Sequence, residues 1–409
     1  MDKMTLKGTR EKVLLMMGLV MCGLPFCHTS STALPPAVAA AKSANTPVDP
    51  ALIAADNDFG FELFGKLAKR DPTSNLFISP SSVALALNMV YNGARGETKQ
   101  GIARALGLGP MNTEALNTGN AALIASLSNP DPKVELSIAN SLWIHPGTAV
   151  NPAFIKVNQD VYGAEVAPLT SIGIVNEWVN KQTHERIKSI LEPGDERGRV
   201  ILINAIYFKG LWSHPFKTED TKQAQFTLLE GRSKNVKMMH QAGTFFYFKG
   251  ESFQAVRLPY GRERLQMVVM LPDKGSNYQD ILRNLNAPNW VLWGSRFGRR
   301  PGDISLPAFR VEYEAELLPM LKTMGINGSD FSGIAPRLAI DKVRHKTFLE
   351  VSEEGTEAAA VTSVHMKALA IPRQPAERFT MVVDHPFICA IIDSKTGAIL
   401  FLGSITEPM

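Results

Sequence analysis

The sequence predicts an α+β fold, and three observations support this prediction. Apolar residues at helical spacing dominate the first part of the chain, and short β-branched apolar runs dominate the later part. The helix and strand patterns do not alternate regularly, so a parallel sheet of the α/β type is not expected. No linker rich in proline or serine divides residues 51–409, which we predict to form one large domain.

The start of the chain predicts a signal peptide over 1–41. A basic start precedes an apolar run and a group of small residues that suits a signal peptidase. The apolar run is too short and too interrupted for a comfortable membrane span. Lipoprotein processing at Cys22 or Cys27 remains an alternative, which the bulky residue before each cysteine disfavours. Residues 42–50 are predicted to be a flexible lead-in, and we expect a secreted or periplasmic protein of a bacterium.

Charge and cysteine content exclude several classes of protein. The formal net charge is +4, and the four basic and two acidic residues of the leader account for +2 of it. The remainder is too small to predict nucleic-acid binding, which usually requires a basic surface. Of the three cysteines only Cys389 lies beyond the leader, so the sequence excludes a disulfide framework. Cys389 lies in an apolar run and is predicted to be a small buried side chain.

Helices are predicted at the start of the domain. Apolar residues on one face predict a helix over about 50–69. Ser79 is a good N-cap and Pro80 suits the first helical position, so an apolar helix should begin there and end near Gly93. A further short helix is predicted to end at Gly107.

Strand patterns dominate after these helices. The runs 137–144 and 199–212 are too short and too β-branched for helices, and the second predicts a central strand buried on both faces. A helical pattern over 174–191 lies between them, several more strands follow, and a helical pattern returns over 314–326. The chain should end in a hairpin with its turn at 394–397.

Motifs of catalysis and cofactor binding are missing from the sequence. It contains no nucleophile elbow, no Walker loop and no zinc-protease motif, and no histidine pair stands at metal-ligand spacing beside a cysteine or carboxylate. We therefore predict no enzyme, no cofactor and no metal. The run around Arg296, Arg299 and Arg300 is interpreted as a solvated loop, with polyanion binding as the alternative.

The stretch EEGTEAAAVTSVHMKALA, residues 353–370, alternates with a period of two. Every second residue from Thr356 to Met366 is uncharged, and the intervening positions carry all the ionisable side chains. Gly355 supplies backbone freedom at its start. The plain interpretations are an ordinary strand or an alanine-rich helix over 354–364. The alternative is an exposed segment that can later become a strand.

Eight segments over about 55–409 resemble one family. They are NLFISPSSVALAL, GARGETKQGI, LINAIYFKGLWSHPF, VKMMHQAGTFFY, VRLPYG with VVMLPDKG, SLPAFRVE, VRHKTFLEVSEEGTEAAA and VDHPFICAI. Each match is weak by itself, but eight matches in the family's order are specific. Together they resemble the serpins, a family of serine protease inhibitors.

The resemblance implies three β-sheets, eight or nine helices and an exposed reactive-centre loop at about 353–378. A target serine protease, or alternatively a cysteine protease, would cut the loop and form a covalent 1:1 complex. The amino-terminal side of the cut loop would insert into the large sheet as a new strand and trap the protease. The uncut monomer would be metastable, and heating would produce polymers through insertion between molecules.

The resemblance also implies which residues act. The hinge that inserts first comprises Glu353, Glu354, Gly355, Thr356, Glu357, Ala358, Ala359 and Ala360. The cut bond of typical members lies fourteen positions after the hinge glycine, which is Leu369–Ala370 here and suits chymotrypsin-like, elastase-like or subtilisin-like proteases. The loop is longer than in many serpins, so other bonds remain open. The alternatives for the residue before the cut are Lys367, Ile371 and Arg373.

Five further residues match the family's sheet-opening machinery. Trp212 matches the tryptophan where the loop first enters the sheet. The polar cluster expected under the large sheet, which would control strand separation, consists of Ser79, Ser82, Asn204 and His345. Its plain role is hydrogen bonding within the core.

The alternative function is that of a non-inhibitory serpin, a carrier or a chaperone. Such members often have bulky, charged or proline residues in the hinge, whereas this hinge is composed of small residues after a threonine. An inhibitor is therefore the favoured function. Control by a sulphated polysaccharide is not expected, because only Lys99 and Arg104 are basic over 99–125.

Overall fold

Residues 46–276, 278–326, 330–356 and 377–409 are described by a computed structural model. In these ranges the α-helices are α1 (Pro50–Arg70), α2 (Pro80–Tyr91), α3 (Gly96–Ala105), α4 (Thr113–Leu127), α5 (Pro152–Tyr162), α6 (Ile172–Gln182), α7 (Tyr278–Asn284), α8 (Ala287–Ser295) and α9 (Leu318–Thr323). The strands are β1 (Leu76–Ile78), β2 (Val134–Ile144), β3 (Glu165–Pro168), β4 (Val200–Leu211), β5 (Lys222–Thr227), β6 (Ser233–Lys249), β7 (Phe253–Pro259), β8 (Leu265–Pro272), β9 (Gly298–Pro307), β10 (Phe309–Glu316), β11 (Lys342–Val351), β12 (Gly355–Thr356), β13 (Phe379–Val382), β14 (Phe387–Asp393) and β15 (Ile399–Ile405). Helices and strands are mixed without regular alternation, which confirms the α+β prediction.

The described strands form two hydrogen-bonded sheets. The larger has the order β1-β15-β14-β8-β7-β6-β9-β13, with β5 paired to β6 outside this path. The smaller, which we call the six-stranded sheet, has the order β10-β11-β12-β4-β2-β3. The resemblance implies three sheets, but two of the ladders are joined here because β6 is one continuous strand of 17 residues. It pairs with β5 near its start, with β9 along its middle and with β7 at its end.

Several predicted elements are confirmed. The helix expected over 50–69 is α1, and the terminal hairpin is β14 and β15. The central strand expected over 199–212 is β4, which is buried along almost its whole length. Its neighbours are β2 on one side and β11 with β12 on the other, so both of its edges are paired, and its continuous burial shows that both faces are covered.

Two predicted helices are shorter than their sequence patterns. α6 ends at Gln182, because His184 and Glu185 take positive φ angles of 51° and 64° that do not continue a right-handed helix. The pattern over 314–326 begins as strand β10, in which charged and apolar residues alternate, and only Leu318–Thr323 is helical. In both cases the spacing of apolar residues over a short stretch fits a helix as well as the strand or turn that the chain forms there.

Helix α2 supports the six-stranded sheet from within the core. All of its residues are buried, and it packs against β2 and β4 on one side and β15 on the other. Ser79 stands at its N-cap, but the Ser79 hydroxyl donates to the Leu400 carbonyl of β15, at 2.6 Å, instead of capping the helix. The helix start is thereby fixed to β15 of the larger sheet.

Cys389 is confirmed as a buried side chain. It lies in β14 with 1% of its surface exposed, and burial raises the pKa of its thiol to about 12. A thiol in this state is not a nucleophile at neutral pH.

Candidate functional site at the seam between β4 and β11

The six-stranded sheet contains two parallel pairings, one at its edge between β2 and β3 and one at its centre between β4 and β11. β4 and β11 run parallel and pair directly from Ile201 with Lys342 to Tyr207 with Phe348. Their outer neighbours, β2 and β10, are antiparallel to them. We call the β4–β11 junction the seam. A strand of the opposite direction placed in the seam would be antiparallel to both of its neighbours.

We call the end of the seam where β4 and β11 finish its upper end, and the end where both strands begin its lower end. The upper end already holds such a strand. β12 lies between β11 and β4, with Thr356 opposite Gly210 and Val351, and Gly355 opposite Leu211. Gly355 has a φ of +151°, and a Cβ on it would lie 2.1 Å from the carbonyl oxygen of Gly210. Only glycine fits at this position, because any side chain would collide with the backbone of β4.

Thr356 is the first side chain within the seam. It is completely buried, and its Oγ1 lies 2.7 Å from the hydroxyl of Tyr260. Burial raises the pKa of Tyr260 well above its usual value, so this hydroxyl stays protonated. The Tyr260 ring stacks on Trp212, with ring centroids 4.3 Å apart and planes 12° from parallel. The buried hydroxyl of Thr356 therefore has a hydrogen-bond partner, Tyr260, whose ring stacks on Trp212.

The residues before β12 are held by the segment that follows β4. The Trp212 indole N–H donates to the Ser352 carbonyl at 3.0 Å, and its backbone N–H donates to the Glu354 carbonyl at 2.9 Å. The Glu353 carbonyl accepts from the backbone N–H of Phe216 at 2.8 Å. Trp212 thus binds the backbone of the residues that lead into β12.

The middle of the seam contains the predicted polar cluster. His345 and Asn204 are opposite each other across the seam, and the Nδ1 atom of His345 lies 2.6 Å from the Oδ1 atom of Asn204. The Nε2 atom of His345 accepts from the backbone N–H of Ser79 at 3.2 Å. Because that N–H can only donate, Nδ1 must carry the imidazole proton. His345 is therefore neutral, and burial lowers its pKa to about 3.

Asn204 connects the cluster to helix α2 and to the next strand. Its Nδ2 donates to the hydroxyl and carbonyl of Ser82 and, at 2.6 Å, to the Oδ1 of Asn140. Asn140 is opposite Asn204 on β2 and is a member that the sequence did not predict. Its signal is a single asparagine within the strand SIANSLWI, whose other residues are apolar except for two serines. Every cluster member is at most 4% exposed, so separating the strands would leave buried polar atoms without partners.

Other predicted positions lie outside the described residues. They are Glu357, Ala358, Ala359 and Ala360 of the hinge and Leu369 and Ala370 of the predicted bond. Within the described ranges, no group of three His, Cys, Asp or Glu side chains is arranged to hold a metal ion. No helix in the part of the chain that the structure describes is both long and apolar enough to cross a membrane.

Sequence comparisons give similar proteins over most of the chain. A family model described as Serpin (serine protease inhibitor) matches residues 54–408. The leukocyte elastase inhibitor of Sus scrofa is 34% identical over 382 residues, which cover 87% of this chain and 99% of that protein. An uncharacterized serpin-like protein of Thermococcus kodakarensis is 37% identical over 372 residues, which cover 87% of this chain and 86% of that protein.

Solved structures agree with the sequence comparisons. The native state of tengpin, a thermophilic serpin, is 30% identical with a TM-score of 0.81 and covers 88% of this chain and 95% of that chain. Human thyroxine-binding globulin in complex with thyroxine is 25% identical with a TM-score of 0.80 and covers 88% of this chain and 98% of that chain. This chain therefore belongs to the serpin family, as shown by the family match over residues 54–408, by the archaeal and mammalian relatives and by the shared fold.

Proposed function

We propose that this serpin inhibits serine proteases as a suicide substrate. A protease cuts the reactive loop, and the amino-terminal side of the loop then inserts between β4 and β11. The observation that carries the proposal is the position of Gly355 and Thr356, which occupy the upper end of the seam as β12. A strand that continues β12 is antiparallel to both neighbours, so the start, the direction and the path of insertion are all compatible with the sheet.

The register of β12 fixes where each later residue would go. Each further loop residue lies one position earlier on β4 and one position earlier on β11. Six residues after Thr356, Thr362 would therefore reach the level of Asn204 and His345. Both neighbours give the same answer, because Asn204 and His345 are themselves opposite each other. In such a strand Thr362 would lie on the same face as Thr356, so its hydroxyl would arrive at the polar cluster.

Insertion would exchange one ladder for two. The parallel pairing of β4 with β11 would be lost, and two antiparallel ladders, which are slightly more stable per residue, would form in its place. The even-numbered loop residues from Thr356 to Met366 are uncharged, so their burial carries no cost for a charge. The contacts across the seam oppose this change until a cut frees the loop. They would keep the uncut protein in a kinetically trapped state.

The trapped species would be an ester of the protease. The active-site serine oxygen attacks the carbonyl carbon of Leu369, and the peptide C–N bond to Ala370 breaks as the leaving amine takes a proton from the protease. Water would normally hydrolyse this ester. Inhibition results if insertion carries the attached protease away before hydrolysis occurs. The serpin supplies no catalytic group to either step.

The choice of protease follows from the residue before the cut. Leu369 suits chymotrypsin-like, elastase-like or subtilisin-like enzymes with apolar specificity pockets. The similarity to a leukocyte elastase inhibitor supports a target of this kind. A cut after Lys367 or Arg373 would instead suit trypsin-like enzymes, and a cut after Ile371 remains a further alternative.

The carrier hypothesis has one observation in its favour, the similarity to thyroxine-binding globulin in complex with thyroxine. In this chain an apolar cavity lined by Phe248, Trp290 and Trp293, among others, has a volume of about 30 Å³. Ligand pockets usually measure about 300–1,000 Å³. This cavity would have to enlarge before it could hold such a ligand, whereas another one, lined by Leu87, Ile102 and Leu318 among others, has a volume of about 260 Å³. Cavity size therefore does not decide between the hypotheses, and the inhibitor is favoured by the small residues of the hinge.

Export is part of the proposal. The basic start, the apolar run and the small residues before position 42 support a cleaved signal peptide and a secreted or periplasmic protein. The mass of the protein recovered from the medium or periplasm of an expressing bacterium tests this directly. A mature chain that begins near residue 42 is expected, and a full-length or lipidated chain contradicts it.

The test of inhibition mixes the purified protein separately with chymotrypsin, pancreatic elastase and trypsin. Denaturing gels are expected to show a covalent band at the summed mass with chymotrypsin or elastase, and mass spectrometry should place the cut after Leu369. A protease whose catalytic serine is replaced by alanine is the control, because it cannot form the ester. Cleavage without a covalent band by any protease, together with no gain of heat stability in the cut chain, contradicts the proposal.

A further inference from the structure

The lower end of the seam is joined by charged side chains. Asp195 lies in a turn five residues ahead of β4, and it is 4% exposed. It accepts hydrogen bonds from Lys342 and, at 2.9 and 3.1 Å, from Arg344. Both cations belong to β11. One buried carboxylate on the β4 side therefore binds two cations on the β11 side.

A second carboxylate joins the same two segments through the backbone. The Oδ2 atom of Asp341 accepts from the backbone N–H groups of Arg199, at 2.6 Å, and Val200, at 3.1 Å. The Asp341 backbone N–H donates to the Val200 carbonyl at 3.0 Å. Val200 is the first residue of β4, and Asp341 directly precedes β11. The two strand starts are thus connected by three hydrogen bonds.

These contacts differ from the other charged contacts of β11. Arg344 and Lys346 also approach Glu312, Glu314 and Glu316, but these glutamates belong to β10, which is the outer neighbour of β11. Those ion pairs would survive an opening of the seam, because β10 and β11 would move together. The bonds to Asp195 and Asp341 cross the seam and would not survive.

Asp195 is held in its charged form. Burial raises its pKa, but hydrogen bonds from Lys342, from the Glu192 backbone and from Arg344 lower it by more, so the pKa lies below its usual range. The carboxylate is therefore an anion at neutral pH, and its contacts to Lys342 and Arg344 are charge-assisted hydrogen bonds. Such bonds are about twice as strong as bonds between neutral groups.

We propose that Asp195 and Asp341 form a distal clamp whose release limits the last stage of loop insertion. This inference rests on the insertion mechanism proposed above. Neighbouring strands are about 4.8 Å apart, so one additional strand would separate β4 from β11 by roughly that distance more. Hydrogen bonds of 2.6–3.1 Å across the seam cannot persist at that separation.

The register gives the stage at which the clamp must open. Continuing from Thr356, the loop reaches the level of Val200 and Asp341 with Met366. A strand that stops at Thr362 would end one position above Arg344 and so above every clamp residue, whereas a strand that extends to Lys367 would have to displace the clamp. The clamp therefore divides partial insertion from complete insertion.

The test compares two synthetic acetylated peptides, of residues 357–362 and of residues 357–367, for their rates of annealing to the intact protein. Annealing is followed by native gel and by the heat-resistant fraction. In Asp195→Asn the longer peptide should anneal faster by a factor on the order of ten, which corresponds to about 1.4 kcal/mol. The shorter peptide should anneal at the wild-type rate.

Matched variants exclude a general loosening of the fold. Asp303→Asn removes one partner of an exposed ion pair with Arg378 in the other sheet and should change neither rate. If Asp195→Asn does not fold, Lys342→Gln weakens the same clamp from β11 and should accelerate the longer peptide by a smaller factor.

The outcomes separate this inference from the proposed function. If Asp195→Asn accelerates both peptides equally, or neither, while wild-type protein still traps protease, the clamp is refuted and the inhibitor proposal stands. If wild-type protein anneals no peptide and traps no protease, insertion itself is refuted, and the clamp with it. Selective acceleration of the longer peptide supports the clamp.

Discussion

Replacement of the first inserted side chain should convert the inhibitor into a substrate. Thr356 is completely buried beside Tyr260, in a space that holds only a small side chain. In Thr356→Arg we expect the arginine to stay out of this space in the uncut chain, so insertion would have to bury its guanidinium. Burying an ion costs several kcal/mol even after relaxation. We take about 3 kcal/mol, because a long side chain can reach partly back to solvent. Each 1.36 kcal/mol is a factor of ten in rate, so insertion should slow by more than ~100-fold.

The matched control for this variant is Glu357→Arg. It introduces the same side chain one residue later, on the face that the alternation of the strand predicts to stay wet. The assay titrates each variant against a fixed amount of elastase or chymotrypsin and counts the inhibitor molecules consumed per trapped protease. Thr356→Arg should be cut without trapping, and Glu357→Arg should resemble the wild type.

Two results would show that the argument is wrong. If Thr356→Arg traps protease at the wild-type stoichiometry, burial at this position does not control insertion. If both variants become substrates to the same degree, the loop is sensitive to any arginine, and the assignment of a buried and a wet face fails. A milder variant, Thr356→Val, removes only the hydroxyl and leaves Tyr260 without its partner. It should retain trapping with a reduced rate.

Two further predictions concern the polar cluster. The pKa of His345 is about 3 in the folded chain against 6.5 for the free side chain, so stability is fully present above pH 6.5 and is lost as the pH falls toward 3. At pH 5 the loss of folding free energy should be roughly 2 kcal/mol, which would lower the thermal midpoint of the wild type. The midpoint of His345→Gln should fall much less, and His145→Gln, at an exposed position, is the control. A pH-independent midpoint would contradict the neutral, buried imidazole. Thr362→Val should leave the uncut protein unchanged but destabilise the cut form by about 1–3 kcal/mol in guanidinium unfolding. The reason is that the cluster would lack the hydroxyl that replaces the broken His345–Asn204 bond. Ser363→Ala, on the opposite face, should destabilise neither form, and equal effects of the two variants would refute the register.

Regular elements could be predicted from the sequence because their patterns are local. The N-cap and proline at the start of α2 and the continuous apolar run of β4 each depend on residues within a few positions of one another. The limits of α6 could not be predicted, because its end depends on the left-handed backbone of His184 and Glu185, which are polar residues at positions that also fit the helical period.

The site was predictable where it depends on side-chain type and not where it depends on distant pairs. The alternation after Gly355 predicts one buried and one wet face, and Thr356, the residue of this pattern that the structure describes, is buried. Tyr260 as the partner of Thr356, and Asp195 as the partner of Lys342, could not be inferred, because nearly one hundred residues or more separate each pair and nothing in the periodic pattern connects them. Asn140 was missed for the same reason, although an amide in an apolar strand signals a buried partner.

The contacts along the seam respond differently to the same inserted strand, and this gives insertion an order. At the top, the contact of Thr356 with Tyr260 is already that of an inserted residue and would be retained. In the middle, the His345–Asn204 bond would be broken, but a hydroxyl from the loop would arrive at the same level. At the bottom, the bonds of Asp195 to β11 would be broken. By the same register Ser363 would come level with Arg344 and His365 with Lys342, and neither supplies a carboxylate in place of Asp195. The cost of each step therefore rises as the strand advances, while the two antiparallel ladders lengthen behind it. A strand that stops early leaves the clamp intact but does not form the last hydrogen bonds of the two ladders. The difference in free energy between these two sets of contacts therefore decides whether a protease attached to the loop is carried the full distance.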